Sequence, residues 1–308
     1  MAYNDADNTQ YGVRGQDYSR NLLPLARQED SMLYSCVYVK TGITGKSFYQ
    51  DQIGNWSMTE KTTPNSDTPM NDPNLSRTRI DVKTYHDSRV VDPDLTLQAF
   101  ADPLSESSLC VRSSVGIQMD KVIYTSMGAA ALRGETGGTS VAFPEAQTIA
   151  VNYGGEVVSG TAQNTGLTIA KIREAGRKMD AAGVSPRDRY IVASATAKSQ
   201  LLGTNKATNS DFVNGKPLED GKIHNFYGFT LVFLPDGIIT KTGNVADYYA
   251  FQKTGICFGM WEKLFLRLDE RKDKSYSKQV YYKINCGAAR LEEAKVVKIK
   301  GDESVVVE

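Results

Sequence analysis

The chain has no long apolar run, no net charge, almost no histidine and no clustered cysteine, and each absence removes a class of protein. No stretch approaches the ~18–20 apolar residues that a membrane helix requires. The N-terminal 21 residues lack the apolar core of a secretory signal. A soluble product made in a reducing cytoplasm is therefore expected. The 36 basic residues equal the 36 acidic ones, which argues against a protein whose main task is to grip nucleic acid or anionic lipid through a basic field. Enclosing nucleic acid is compatible with that balance. Cys36, Cys110, Cys257 and Cys286 form no C-x-x-C pair and have apolar or small neighbours, so all four are expected as buried free thiols.

Catalytic signatures are missing as well. No G-x-G-x-x-G, G-x-S-x-G or H-E-x-x-H occurs. The glycine-rich run 134–140 lacks the lysine of a phosphate loop and follows a predicted helix where a strand is needed. His86 sits in a charged strand and His224 near a turn, neither with partners that would make an acid–base or metal site. No cofactor or metal is expected, and a structural or binding protein is favoured over an enzyme.

What the 308 residues do contain is pattern. Asp102-Pro103 supplies a cap and a first-turn proline, and Gly134 a stop, so a long helix is predicted over 102–133. Val111, Val115, Met119, Val122, Ile123, Ser126, Met127 and Ala130 would share its apolar face. A half-apolar rod of that length needs other elements laid along it. Residues 1–32 read as a polar arm with one apolar patch, Leu22-Leu23-Pro24-Leu25. Strand-like stretches at 32–49 and 77–85 flank a polar excursion, a hairpin too thin to bury a core alone. It would either lie on its own domain or pack on a neighbouring molecule.

Further on, a short helix is predicted at 92–100, strands at 140–143 and 148–152, and a helix at 165–182 stopped by Gly183. Then come a βαβ-like passage (strand 189–193, Ser194 as cap, helix 195–202, strand 229–234) and turns at Asn214-Gly215 and Asp220-Gly221. Strands at 248–252, 255–260, 264–268, 279–285 and 296–299 follow, with a charged turn at 269–274.

This succession resembles the major capsid proteins of tailed, podovirus-like bacteriophages. The phrases that carry the resemblance are the Asp67-Thr68-Pro69 loop with the strand Arg77–Val82 and the Val90–Pro93 turn, and Met119–Ile123 leading into Gly134. The others are Gly166–Ala175, Arg189–Ser194, Tyr227-Gly228-Phe229 and Gly287–Leu291. The resemblance implies an α+β, HK97-like capsid fold with an N-arm (1–32), an extended E-loop (33–91) and a P-domain with a spine helix (92–185). An A-domain (186–261) and P-domain return strands with the C-terminus (262–308) complete it.

It further implies self-assembly into hexamers and pentamers of an icosahedral shell that encloses dsDNA without sequence-specific binding. The expected partners are copies of the chain, a separate scaffolding protein, a portal and, on the outside, room for a decoration protein; no membrane is involved. Synthesis in the host bacterial cytoplasm and residence in the virion capsid follow. Arg77, Arg79, Asp81, Lys83, Asp87 and Arg89 in the E-loop are the candidate contacts between subunits. Exposed charge pairs are worth at most ~1 kcal/mol each, so they would set register more than strength. Assembly is expected to be non-covalent. The alternatives are an encapsulin-like compartment and, from another class, an α/β enzyme using Ser194 or an acid at a strand end.

Overall fold

The computed structural model describes residues 28, 30–68, 70, 72, 75–91, 107–158, 161–203 and 225–305. In chain order, a 3-10 turn at Tyr34–Cys36 leads into strands β1 (Tyr38–Thr41), β2 (Ser47–Ile53), β3 (Leu75–Asp81) and β4 (Lys83–Val91). Helix α1 (Ser107–Gly128) is followed by β5 (Ala131–Arg133), β6 (Thr139–Val141), β7 (Thr148–Ile149), β8 (Val157–Val158) and β9 (Thr161–Ala162). Next come α2 (Ile169–Ala181), β10 (Arg189–Ser194), α3 (Ala195–Leu202), β11 (Asn225–Phe226) and β12 (Phe229–Leu234). The chain ends through β13 (Lys241–Thr242), β14 (Val245–Gln252), β15 (Ile256–Arg271), β16 (Ser277–Arg290) and β17 (Val296–Asp302).

Three larger sheets and a two-stranded ribbon, β8-β9, organise these strands. One runs β1-β15-β16-β4 and one β2-β3-β5-β6, while the largest runs β11-β12-β10-β14-β17-β7 with β13 on β14. β10 and β12 are parallel and joined across α3, as the βαβ-like passage predicts. Ile191, Val192 and Ala193 are a continuous buried run, as expected of a strand covered on both faces. Thr168 accepts the Lys171 N–H as the cap of α2, and Ile172, Ala175 and Met179 turn into the main core. At the other end Gly183, at φ 71°, takes the left-handed turn after the helix.

A polar tie reinforces this packing. The Lys171 side chain is fully buried, and its ammonium donates to the carbonyls of Val151, Thr165, Gly166 and Lys300 at 2.7–2.9 Å. It thereby fastens α2 to β17 and to the loop before α2. Burial pushes its pKa down to about 8, while four carbonyl dipoles aimed at the nitrogen favour the charged form.

The long helix differs from its predicted range. It ends at Gly128 rather than 133, and Ala131–Arg133 is extended chain paired with β3 and β6. The reason is tertiary. Gly128 packs on the Tyr249 hydroxyl so closely that no side chain fits there. Arg290 also collects the carbonyls of Met127 and Ala129 at 3.0 and 2.9 Å, satisfying the helix end. Ala130 is consequently exposed and outside the helix, and Gly134 turns between β5 and β6. The predicted start at Asp102-Pro103, the 92–100 helix, the turns at Asn214-Gly215 and Asp220-Gly221, His224 and residues 1–27 lie outside the described residues.

Other differences follow from register. The single strand expected over 77–85 is two strands in two sheets: β3 pairs with β2 and β5, and β4 with β16. The break falls at Val82, whose N–H donates to Lys46 O. The predicted strands 255–260 and 264–268 are one strand, β15, which bulges on either side of Glu262 and runs to Arg271. Its pairing with β16 carries part of the expected charged turn into the ladder. Cys36, Cys257 and Cys286 are buried, and burial pushes the Cys257 and Cys286 thiols up to about 12. Cys110, expected to be buried, is instead exposed on α1.

Candidate functional site

The six charged residues chosen from sequence divide between two sheets. Arg77 on β3 stands opposite Asp51 on β2 and grips it with two hydrogen bonds of 2.6 and 3.0 Å. Arg79 binds Asp81 two residues along the same strand at 2.7 and 2.9 Å. These guanidiniums hold the Asp51 and Asp81 carboxyls below the usual carboxylate range. The first pair is solvated and the second half-exposed, so neither adds much to stability. Lys83, Asp87 and Arg89 are exposed on β4, and Asp87 accepts a 2.9 Å bond from the Tyr282 hydroxyl on β16. Three of the six thus have partners within the hairpin or its base, and three sit on the edge strand of the β1-β15-β16-β4 sheet.

Between β2 and β3 the chain carries apolar bulk into solvent. Trp56 is 77% exposed and Met58 fully exposed, with Ile53 and Leu75 also open at the ends of the strands. The hairpin base is not isolated, because β5 and β6 extend it into a four-stranded sheet.

Helix α1 holds a second feature that periodicity missed. Its apolar stripe does pack on β16, through Val111 against Val280 and Tyr282. A different, polar face is buried too. Asp120, fully buried, accepts the backbone N–H of Met32 and Leu33 at 2.9 and 3.0 Å, the Ser31 hydroxyl at 2.5 Å and the Gln28 amide. Ser113 donates to Gln28 O, and Arg112 pairs with Asp30 at 2.5 Å. Gly116 leaves room for the Asp30–Ser31 backbone, which a Cβ would meet at 2.8 Å. The Arg112–Ser113–Gly116–Asp120 face is therefore a clamp for the segment entering at Gln28. The only sequence signal was a serine, a glycine and an aspartate at steps of three and four on a half-apolar helix.

Ser194 does not look like a nucleophile. It caps α3 by accepting the Ala197 N–H, and its hydroxyl donates to Glu303 at 2.6 Å, next to Tyr248. Lys241 holds the other Glu303 oxygen at 2.6 Å. This network seats Glu303, just after β17, against β10. His86 lies opposite Lys283 in the β4–β16 register, with its ring 6.2 Å from that of Tyr281. Among the described residues no three His, Cys, Asp or Glu side chains converge as a metal site, and no helix is long and apolar enough to cross a membrane.

A long helix laid on a long antiparallel hairpin, a second small sheet built on the β2–β3 pair and a separate mixed sheet define an α+β, HK97-like capsid subunit. Solved structures share this fold. The capsid of cyanophage P-SCSP1u is similar at a TM-score of 0.73 and 15% identity, covering 94% of this chain and 93% of that one. The capsid of Ralstonia phage GP4 matches at 0.71 and 10% identity, over 94% and 95% of the two chains. That of a native GTA particle matches at 0.67 and 12% identity, over 98% and 100%. No curated protein sequence matches the chain. The family model for phage capsid proteins matches residues 10–303, and the chain belongs to that family. It is a structural protein, the major capsid protein of a phage shell built from copies of itself.

Proposed function

We propose that this capsid protein forms hexamers and pentamers of an icosahedral shell enclosing a dsDNA genome. The observation that carries the reading is the apolar tip of the β2–β3 loop, where Trp56 and Met58 lie in water. A lone subunit gains nothing from exposing such residues, whereas a neighbouring copy would bury them. Many modest contacts of this kind sum through multivalency, which keeps early assembly reversible and the finished shell firm.

Within that reading the segments 1–32, 33–91, 92–185, 186–261 and 262–308 act as N-arm, E-loop, P-domain, A-domain and return strands. Six strands cross these lines: β1 and β4 join the β15–β16 sheet, β5 and β6 join that of β2 and β3, and β7 and β17 join the sheet of β10 and β14. Arg77, Arg79, Asp81, Lys83, Asp87 and Arg89 are the proposed contacts between copies, where exposed pairs can exchange in-chain partners for a neighbour's. A separate scaffolding protein, a portal and room for an outer decoration protein complete the assembly. DNA is enclosed without sequence readout, in keeping with zero net charge. The protein does no chemistry, is made in the host cytoplasm and assembles without covalent links. Electron microscopy and gradient sedimentation of the expressed protein, alone and with its scaffolding partner, test this. Closed shells are the expected result. A monomer under both conditions, or one that turns over a substrate, would overturn it.

A further inference from the structure

Beyond Met260, one edge of the long β15–β16 hairpin has no neighbour among the described residues. β1 covers β15 only at Cys257–Met260, and beyond that no described strand pairs with the outer edge as far as Arg271. The N–H and C=O groups of such an edge can accept a further strand. Residues 264–268 there read Leu-Phe-Leu-Arg-Leu. Leu264, Leu266 and Leu268 are 43, 51 and 59% exposed. Leu266 stands opposite Tyr282 and Leu268 opposite Val280, and opposed residues share a face. The leucines therefore extend the apolar cluster that Val280, Tyr282 and Val111 form beside α1. Phe265 and Arg267 point the other way, and Asp269 answers the Arg267 charge at 2.6 Å.

We propose that this edge pairs with the same edge of a second copy, antiparallel about a two-fold axis at Leu266, so that one sheet runs across the boundary between two subunits. The inference rests on the reading of the chain as a self-assembling shell protein. Its basis is the near-palindromic order of the side chains. In a continued antiparallel sheet, an axis at Leu266 sets Leu266 on its own copy and Leu264 on the partner's Leu268. On the other face, Phe265 meets the partner's Arg267, twice, as aromatic–cation pairs. Moving the axis one residue toward the C-terminus would oppose Arg267 to itself. Moving it one residue the other way would bring Lys263 alongside Arg267. Such a self-complementary patch is what an isologous contact requires.

The test uses assembled particles in a Cys110→Ser background, which removes the exposed thiol. Leu266→Cys particles, oxidised and run on a non-reducing gel, should convert mostly to disulfide-linked dimers, with none from the background protein. Particles mixed from Leu264→Cys and Leu268→Cys subunits should cross-link, while particles of either variant alone should not. This second arm decides the matter if Leu266→Cys protein fails to assemble. Intact particles without these dimers would overturn the proposal. So would a cross-link from Leu266→Cys that forms only when Trp56→Cys is also present, since the loop tip would then cover the stripe. Failure of the background protein itself to form any particle would instead overturn the shell reading.

Discussion

Replacing Arg290 by methionine isolates the device that ends the spine helix. The Arg290 side chain is fully buried, donates to Met127 O and Ala129 O, and lies 3.4 Å from the carbonyls of Val141 and Ala142. Its guanidinium stacks on Phe143 at 4.9 Å and pairs loosely with Glu293 at 3.7 Å. Methionine keeps most of the volume and removes every donor. The two helix-end carbonyls then lose their partner in a buried place, at ~1–3 kcal/mol each. The favourable charge at the helix C-terminus, worth up to ~2 kcal/mol, is lost as well. Two effects offset this: relief from burying a guanidinium whose Nε has no acceptor, and the apolar fit of methionine, which can make such swaps nearly neutral. Glu293 keeps Arg133 at 2.7 Å, so no carboxylate is stranded. The net cost should be about 3 kcal/mol, since backbone carbonyls, unlike a side-chain partner, cannot be swapped out. In urea, with a slope of ~1–3 kcal/mol per molar, that moves the midpoint by ~1 M or more. The comparison must be made at one protein concentration, because self-association adds to apparent stability. Arg290→Lys, which keeps one point charge, should fall between the two. A midpoint for Arg290→Met within ~0.2 M of the parent at unchanged slope would refute the reasoning.

Three further outcomes follow from other sites. Asp120→Ala removes the acceptor of four arm groups; limited proteolysis should cut near residues 28–33 at least tenfold faster, and an unchanged rate would show the clamp to be idle. Asp302 is held below the usual carboxylate range by Ser304, Asn164 and Lys171, and Glu174 by Arg177 and Tyr153. A depressed carboxyl contributes stability that is present above its unfolded pKa of ~4 and lost as pH falls through the folded value. The urea midpoint should thus drop below about pH 4, and Asp302→Asn should flatten that drop; a midpoint that held or rose on acidification would contradict it. A thiol reagent applied to native protein should label Cys110 and spare Cys36, Cys257 and Cys286, as peptide mapping would read.

Legibility in the sequence followed the nature of each signal. The βαβ passage was plain because RYIVA is an unbroken apolar run followed at once by a capping serine, and both features are local. Helix α2 was equally clear from the spacing of Ile172 and Met179 and the glycine after it. The spine helix was seen but overrun, because residues 129–133 have no local helix breaker and its true end depends on Tyr249 and Arg290, over a hundred residues away. The split at Val82 was invisible for a like reason: alternation runs through it without a fault, and only pairing assigns β3 and β4 to different sheets. Of the candidate contact residues, the charged alternation showed which side faces solvent, with Lys83, Asp87 and Arg89 exposed and Arg77, Arg79 and Asp81 half-buried. That Arg77 would find Asp51, and Arg79 its own neighbour Asp81, could not be read from it.

Asp120, Lys171 and Arg290 mark the same divide. By itself the sequence determined the class of element at most positions, the neutral charge of the molecule, and an order of segments that matches phage capsid proteins. Periodicity, capping residues and composition act over a few residues and survive in any fold. The tertiary structure alone decided which charged groups are interior. A buried aspartate, lysine or arginine is stable only where distant backbone groups converge on it, and that convergence is a property of the folded chain.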